Sequence, residues 1–170
     1  GAGVIPVGRG GPDPEGQAVK RLFEDFGFPA DGLITDPERP TTMKTRILAH
    51  HQHVVRTDRE TRTPISGEIE TRLAAFIESK MGGLDAVILE DYNKGLLSPG
   101  LIGRIVRMAS AAGKPVFEDP KSDHFFEYRG VTLFKPNRKE ASEQLGFDLK
   151  SEDSLRKALA VLIERLNCGG

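Results

Sequence analysis

Three short apolar runs, each ending in polar residues and separated by turns or helical periodicity, constrain this chain more than any other feature. They are Ala86-Val87-Ile88-Leu89, Pro115-Val116-Phe117 and Val131-Thr132-Leu133-Phe134. An unbroken apolar run of this length suits a strand covered on both faces, as in a parallel sheet. Between the first two runs, Ser98-Pro99 opens a helix with Leu101, Ile102, Ile105, Val106 and Ala109 on one stripe, and Gly113 closes it. Alternating strands and helices imply right-handed crossovers, so the predicted class is α/β, a three-layer αβα arrangement around a mainly parallel sheet. The runs lead into Glu90-Asp91-Tyr92, Glu118-Asp119-Pro120-Lys121 and Lys135-Pro136-Asn137. Ligands of such sheets bind outside the carboxyl ends of the strands. Three polar strand ends in succession therefore predict a site at that edge.

The first half of the chain reads differently. Asp13 and Pro14 start a helix running to about Phe26, with Val19, Leu22, Phe23 and Phe26 on its apolar face and Gly27 as its stop. Residues 40–60 are rich in Thr, Val and Ile and break near His50-His51-Gln52, which predicts a β hairpin. A helix over 66–81 turns Ile69, Leu73, Phe76 and Ile77 inward. Ser151 caps a last helix with Leu155, Leu159, Leu162, Ile163 and Leu166 inward.

Composition narrows the function classes. At 170 residues the chain is long enough for a domain with its own core, and its net charge of -1 gives no electrostatic reason to expect nucleic acid or an anionic membrane as partner. No apolar run approaches the roughly 20 residues that span a bilayer. The single cysteine, Cys168, cannot close an internal disulfide and fits a cytoplasmic location.

Four motifs compete for chemistry. Asn137, with Glu140 three residues on, has the spacing of a capping box. The same helix start presents free N–H groups and a positive dipole that suit phosphate, and Glu140 could hold a magnesium-bound water; the two readings are compatible. Asp119-Pro120-Lys121 places a carboxylate and an ammonium at one strand end, and Asp91 and Lys94 follow the first buried strand; each also reads as an ordinary turn. His50, His51 and His53 suggest a metal cluster, but no fourth ligand has suitable spacing, and His50 points away from the other two on a strand. Gly8-Arg9-Gly10-Gly11 lacks both the Lys-Ser/Thr of a P-loop and the dinucleotide glycine spacing, so it is not read as a nucleotide loop.

The stretches "RPTTMKTRILAHHQHVVRTDRE", "VILEDYNKG" and "VFEDPKSDHFFEYRGVTLFKPNRKEASEQLG" together resemble the ribokinase-like (PfkB) carbohydrate kinases, and among them the heptose 7-phosphate kinases of ADP-heptose synthesis. The resemblance covers nearly the whole chain and is weaker over residues 1–14. It implies that Asn137, Arg138, Lys139 and Glu140 form an Asn-x-x-Glu motif serving ATP, with Glu140 on the Mg2+ side. It places Asp119 and Lys121 near the transferring phosphate. Lys44, Arg46, Gln52 and Arg56 of the hairpin, with Asp91 and Lys94, fall on the sugar-phosphate side, and the hairpin (40–60) becomes a lid or homodimer contact. Residues 84–170 form the nucleotide-side half. The family's proton-abstracting aspartate lies in a Gly-Ala-Gly-Asp motif that does not occur in these residues. The chain is thus expected to be a central fragment of one kinase domain with an incomplete fold, inactive by itself. Kinases of ribose, fructose or nucleosides are the nearest rival readings, and a non-catalytic α/β binding domain is the alternative of a different class.

Overall fold

The computed structural model describes residues 2–49 and 52–168. They divide into two compact units. One runs through Ile77 and includes Lys94–Leu96; the other holds Glu78–Asn93 and the chain from Leu97 onward.

In the first unit, β1 (Gly8–Gly10) pairs in parallel with β2 (Leu33–Thr35), and α1 (Pro14–Asp25) connects them. Neither strand is predicted from the sequence, because three residues carry no period and two of those in β1 are glycine. Asp13 caps α1 as expected, its Oδ1 accepting the Gly16 N–H at 2.9 Å. It also accepts the Thr41 N–H at 2.8 Å and the Thr41 hydroxyl at 2.5 Å, and the Gly11 N–H donates to that hydroxyl at 2.8 Å. These bonds, the Thr41 hydroxyl foremost, hold the Asp13 carboxyl down at about 2. They tie the start of α1 to the start of the hairpin. The predicted apolar face of α1 is a correction: Val19, Leu22 and Phe26 are exposed, Phe26 at 70%, because no element among the described residues covers them.

The hairpin forms as predicted, from β3 (Met43–Ala49) and β4 (Gln52–Arg59), antiparallel with a register shift between Ile47 and Leu48. The break expected near His50 and His51 lies outside the described residues, as do those two members of the histidine cluster and the side chain of His53. After the hairpin, α2 (Gly67–Met81) buries Ile69 and Leu73, as its periodicity predicts.

The second unit carries the predicted parallel sheet. Its strands are β5 (Val87–Glu90), β6 (Val116–Asp119) and β7 (Leu133–Phe134), in that order, with β6 central. Helix α3 (Pro99–Ala111) buries all five residues of its predicted stripe. Burial of both sheet faces does not hold: Leu89 and Val116 are buried, but Ile88 is 68% exposed and Leu133 is exposed too. An apolar run shows what each face would tolerate, not whether the chain supplies a cover.

Helices α4 (Arg138–Leu145) and α5 (Glu152–Leu166) complete the unit. Ala141 of α4 and Ala158, Leu162 and Leu166 of α5 pack with Phe125 and Leu149 into one core cluster. Phe125 comes from the β6–β7 connection and meets Phe126 and Phe134 edge to face, with centroids 5.1 and 5.0 Å away. Of the stripe predicted on α5, Leu155, Leu159 and Ile163 are exposed instead, Leu159 at 54%. The stripe is wider than the surface available to bury it.

Candidate functional site

Because β5, β6 and β7 are parallel, their carboxyl ends lie along one edge. Glu90 pairs with Asp119 at the ends of β5 and β6, and β7 runs through Lys135-Pro136 into α4. The predicted polar edge therefore exists.

Just after β7, at one end of this edge, Asn137 and Glu140 make the full capping box. The Glu140 N–H donates to Asn137 Oδ1 at 2.9 Å, and the Asn137 N–H donates to Glu140 Oε2 at 2.9 Å. Gly146 stops the helix in the left-handed region at φ 75°. The other Glu140 oxygen accepts Lys121 Nζ at 2.6 Å, so the turn after β6 is tied to the helix after β7. Burial opposes ionisation of Glu140, but Lys121 and the Asn137 N–H outweigh it and hold the carboxyl below its usual range. The same hydrogen bond raises the Lys121 ammonium above its ordinary value. A paired carboxylate and ammonium thus flank a helix start whose N–H groups favour anions. Asp119 lies at the same edge, with Lys135 Nζ 3.4 Å from its carboxylate. Arg138 and Lys139 are exposed in the first turn of α4.

Asp91 sits differently from a residue that meets substrate. It is buried, its Oδ1 accepts the Asn93 N–H at 2.8 Å, and its Oδ2 accepts the Tyr128 hydroxyl at 2.8 Å. Its geometry is that of a residue orienting the turn. Lys94, three residues on, belongs to the other unit and pairs with Glu60 at 2.5 Å. Lys94 is the first cause of the Glu60 carboxyl falling to about 2. Gly95 must be glycine here, since it has φ 69° and a Cβ would collide with the Thr63 carbonyl. Arg39, which sequence reasoning missed, donates to the Thr61 and Lys94 carbonyls at 2.8 and 2.9 Å. A lone arginine in a loop gives no periodic signal.

The hairpin carries the remaining expected residues. Lys44 faces Asp58 across the ribbon at 3.1 Å, and Arg46 faces Arg56 directly. Residues two apart share a face, so Lys44, Arg46, Arg56 and Asp58 lie on one side. Arg56 pairs with Asp58 at 3.0 Å. Two arginines directly opposite repel each other, and an anion bound between them would relieve that. Gln52 is exposed at the start of β4. Glu118 and Tyr128, both buried beside Asp91, are the site-edge residues that the sequence does not single out.

No protein-family model matches the chain. The bifunctional protein HldE of Wolinella succinogenes is 44% identical over 161 residues, covering 95% of this chain and 34% of that protein. HldE of Caulobacter vibrioides is 42% identical over 166 residues, again 95% and 34%. The chain therefore spans about a third of the length of the curated relatives it matches. Among solved structures, the tetrameric inhibited form of phosphofructokinase-2 from Escherichia coli superimposes with a TM-score of 0.70 at 16% identity, over 98% of this chain and 55% of that one. Arabidopsis thaliana ribokinase complexed with ribose and ATP gives a TM-score of 0.68 at 16% identity, over 93% and 51%. The parallel sheet with its polar carboxyl edge, the similarity to HldE over about a third of that protein's length and the superpositions agree: the chain has the α/β fold shared by phosphofructokinase-2 and ribokinase.

Proposed function

We propose that this chain is the central part of a sugar kinase that transfers the γ-phosphoryl group of ATP to the anomeric hydroxyl of heptose 7-phosphate, in ADP-heptose synthesis for lipopolysaccharide. The observation that carries the kinase reading is the contact of Lys121 with Glu140 inside the Asn137 capping box, at the carboxyl edge of the sheet. Phosphoryl transfer needs positioning and charge stabilisation more than covalent chemistry. Lys121 supplies positive charge, the α4 N-terminus supplies N–H donors, and Arg138 and Lys139 extend the field toward phosphate.

The donor set suits Mg2+. Among the described residues no group of three or more His, Cys, Asp or Glu could cage a metal, and Mg2+ is commonly held by one or two carboxylates, waters and substrate phosphates. Glu140, bonded at both oxygens yet with lone pairs left, would hold it through water. Bound there, the ion would neutralise charge on the transferring phosphate. Asp119 would orient groups beside it.

Arg46 and Arg56 support a phosphorylated sugar as acceptor, because their facing guanidinium groups match the charge of a phosphate. Exposed Ile47, Leu48, Val54 and Val55 support the hairpin as a homodimer contact, since a two-stranded ribbon is marginal by itself. Among the described residues no helix is long and apolar enough to cross a membrane, which is compatible with work in the cytoplasm.

Glu140→Gln tests the nucleotide–metal assignment. In a form of the protein extended through a Gly-Ala-Gly-Asp segment, the magnesium concentration for half-maximal turnover should rise about tenfold or more, as expected when a charged partner is lost. An unchanged magnesium dependence would refute the assignment.

A further inference from the structure

Glu118 occupies the central strand of the sheet, opposite Leu89 on one side and Phe134 on the other. Its side chain is 3% exposed, and neither carboxyl oxygen has a hydrogen-bond partner among the described residues. Its backbone carbonyl accepts the Lys135 N–H at 2.9 Å, so the strand cannot shift easily to release the side chain to water. The charges acting on it most strongly are negative: Asp91 first, then Asp119 on its own strand and Glu90 on β5. The fully buried Tyr128, from the β6–β7 connection, is close to both acids, but its one proton goes to Asp91. An ionised carboxylate in this place would have as donor at most the Tyr128 hydroxyl, already given to Asp91, and it would face three acidic neighbours, which is costly in a dry interior.

We propose that Glu118 is a positioning residue carried as a neutral carboxylic acid, and that its proton allows the carboxyl ends of β5 and β6, with Asp91, Asp119 and Lys121, to keep their arrangement. Burial first, then Asp91, agrees with this by pushing the carboxyl from an ordinary 4.5 up to about 8. Burial and Glu118 likewise raise the Tyr128 hydroxyl, which stays a donor. The inference rests on the proposed function only for what Asp119 and Lys121 do with phosphate. The proton itself is testable without turnover.

The folded chain holds this proton between about pH 4.5 and 8, while the unfolded chain has lost it. Stability therefore falls as pH rises through that window and is level with respect to this group above it. Unfolding of the 170-residue chain should be followed by denaturant from pH 5 to 9, beside Glu118→Gln, which keeps the shape and cannot ionise. The ratio of unfolding constants, wild type over variant, should grow about tenfold per pH unit up to about pH 8. Parallel pH profiles would overturn the proposal. Should the variant fail to fold, NMR of the wild-type glutamate carboxyl carbons decides. The Glu118 carbon should titrate near pH 8, with the amides of Asn93, Asp119 and Lys121 shifting at the same midpoint. A Glu118 midpoint near 4.5, or amides indifferent to it, would contradict the inference.

Discussion

Phe125→Ala is expected to lower the unfolding free energy by about 3–5 kcal/mol, a typical cost for truncating a fully buried aromatic ring. A domain's whole stability is about 5–15 kcal/mol, so the variant should sit near its threshold. The ring is 1% exposed and lies among Ala141, Leu149, Ala158, Leu162 and Leu166. Its edge-to-face contacts with Phe126 and Phe134 add a term beyond area burial. Phe134 leads through Lys135-Pro136 into the Asn137 cap, so the loss should also loosen the start of α4. Denaturant midpoints measure the effect. A cost under about 1 kcal/mol would mean that the β6–β7 connection is not part of the core.

The second large effect concerns the hairpin. Arg46→Gln should raise the sugar-phosphate concentration needed for half-maximal turnover about 10- to 100-fold, the range for losing a hydrogen bond to a charged group. The KM for ATP should hardly move. Because Arg46 directly faces Arg56, removing one charge should leave stability unchanged or raise it. Arg46 is the better choice, since Arg56 already pairs with Asp58 and its loss would also disturb that contact. Lower stability with an unchanged KM would mean that Arg46 serves the ribbon and not the substrate.

Much of this was legible from local rules. The α3 stripe, the two Ser and Asn caps, the hairpin and the three parallel strands follow from periodicity and cap chemistry, which act within a few residues. The capping box at Asn137 was legible for the same reason. What was illegible depends on distant covering. Phe26, Ile88 and Leu159 have the sequence pattern of core residues and are exposed, because a period records amphipathicity and not the presence of a neighbour. The isolation of Glu118 was hidden too. A glutamate at a strand end reads as a solvated residue until the backbone places Asp91, Asp119 and Tyr128 around it. Asp91 looked like a free strand-end acid for the same reason, and the fold turned it inward toward Tyr128.

The central claim is that the Lys121–Glu140 edge serves phosphoryl transfer to a phosphorylated sugar. The most direct measurement is magnesium-dependent ATP consumption by the chain extended through a Gly-Ala-Gly-Asp segment, with heptose 7-phosphate, fructose 6-phosphate, ribose and no sugar compared side by side. The account predicts turnover that requires magnesium, is fastest with heptose 7-phosphate and falls by about a hundredfold or more in Lys121→Ala, as when a group stabilising transition-state charge is removed. Equal ATP consumption with and without sugar, or turnover indifferent to Lys121, would contradict it.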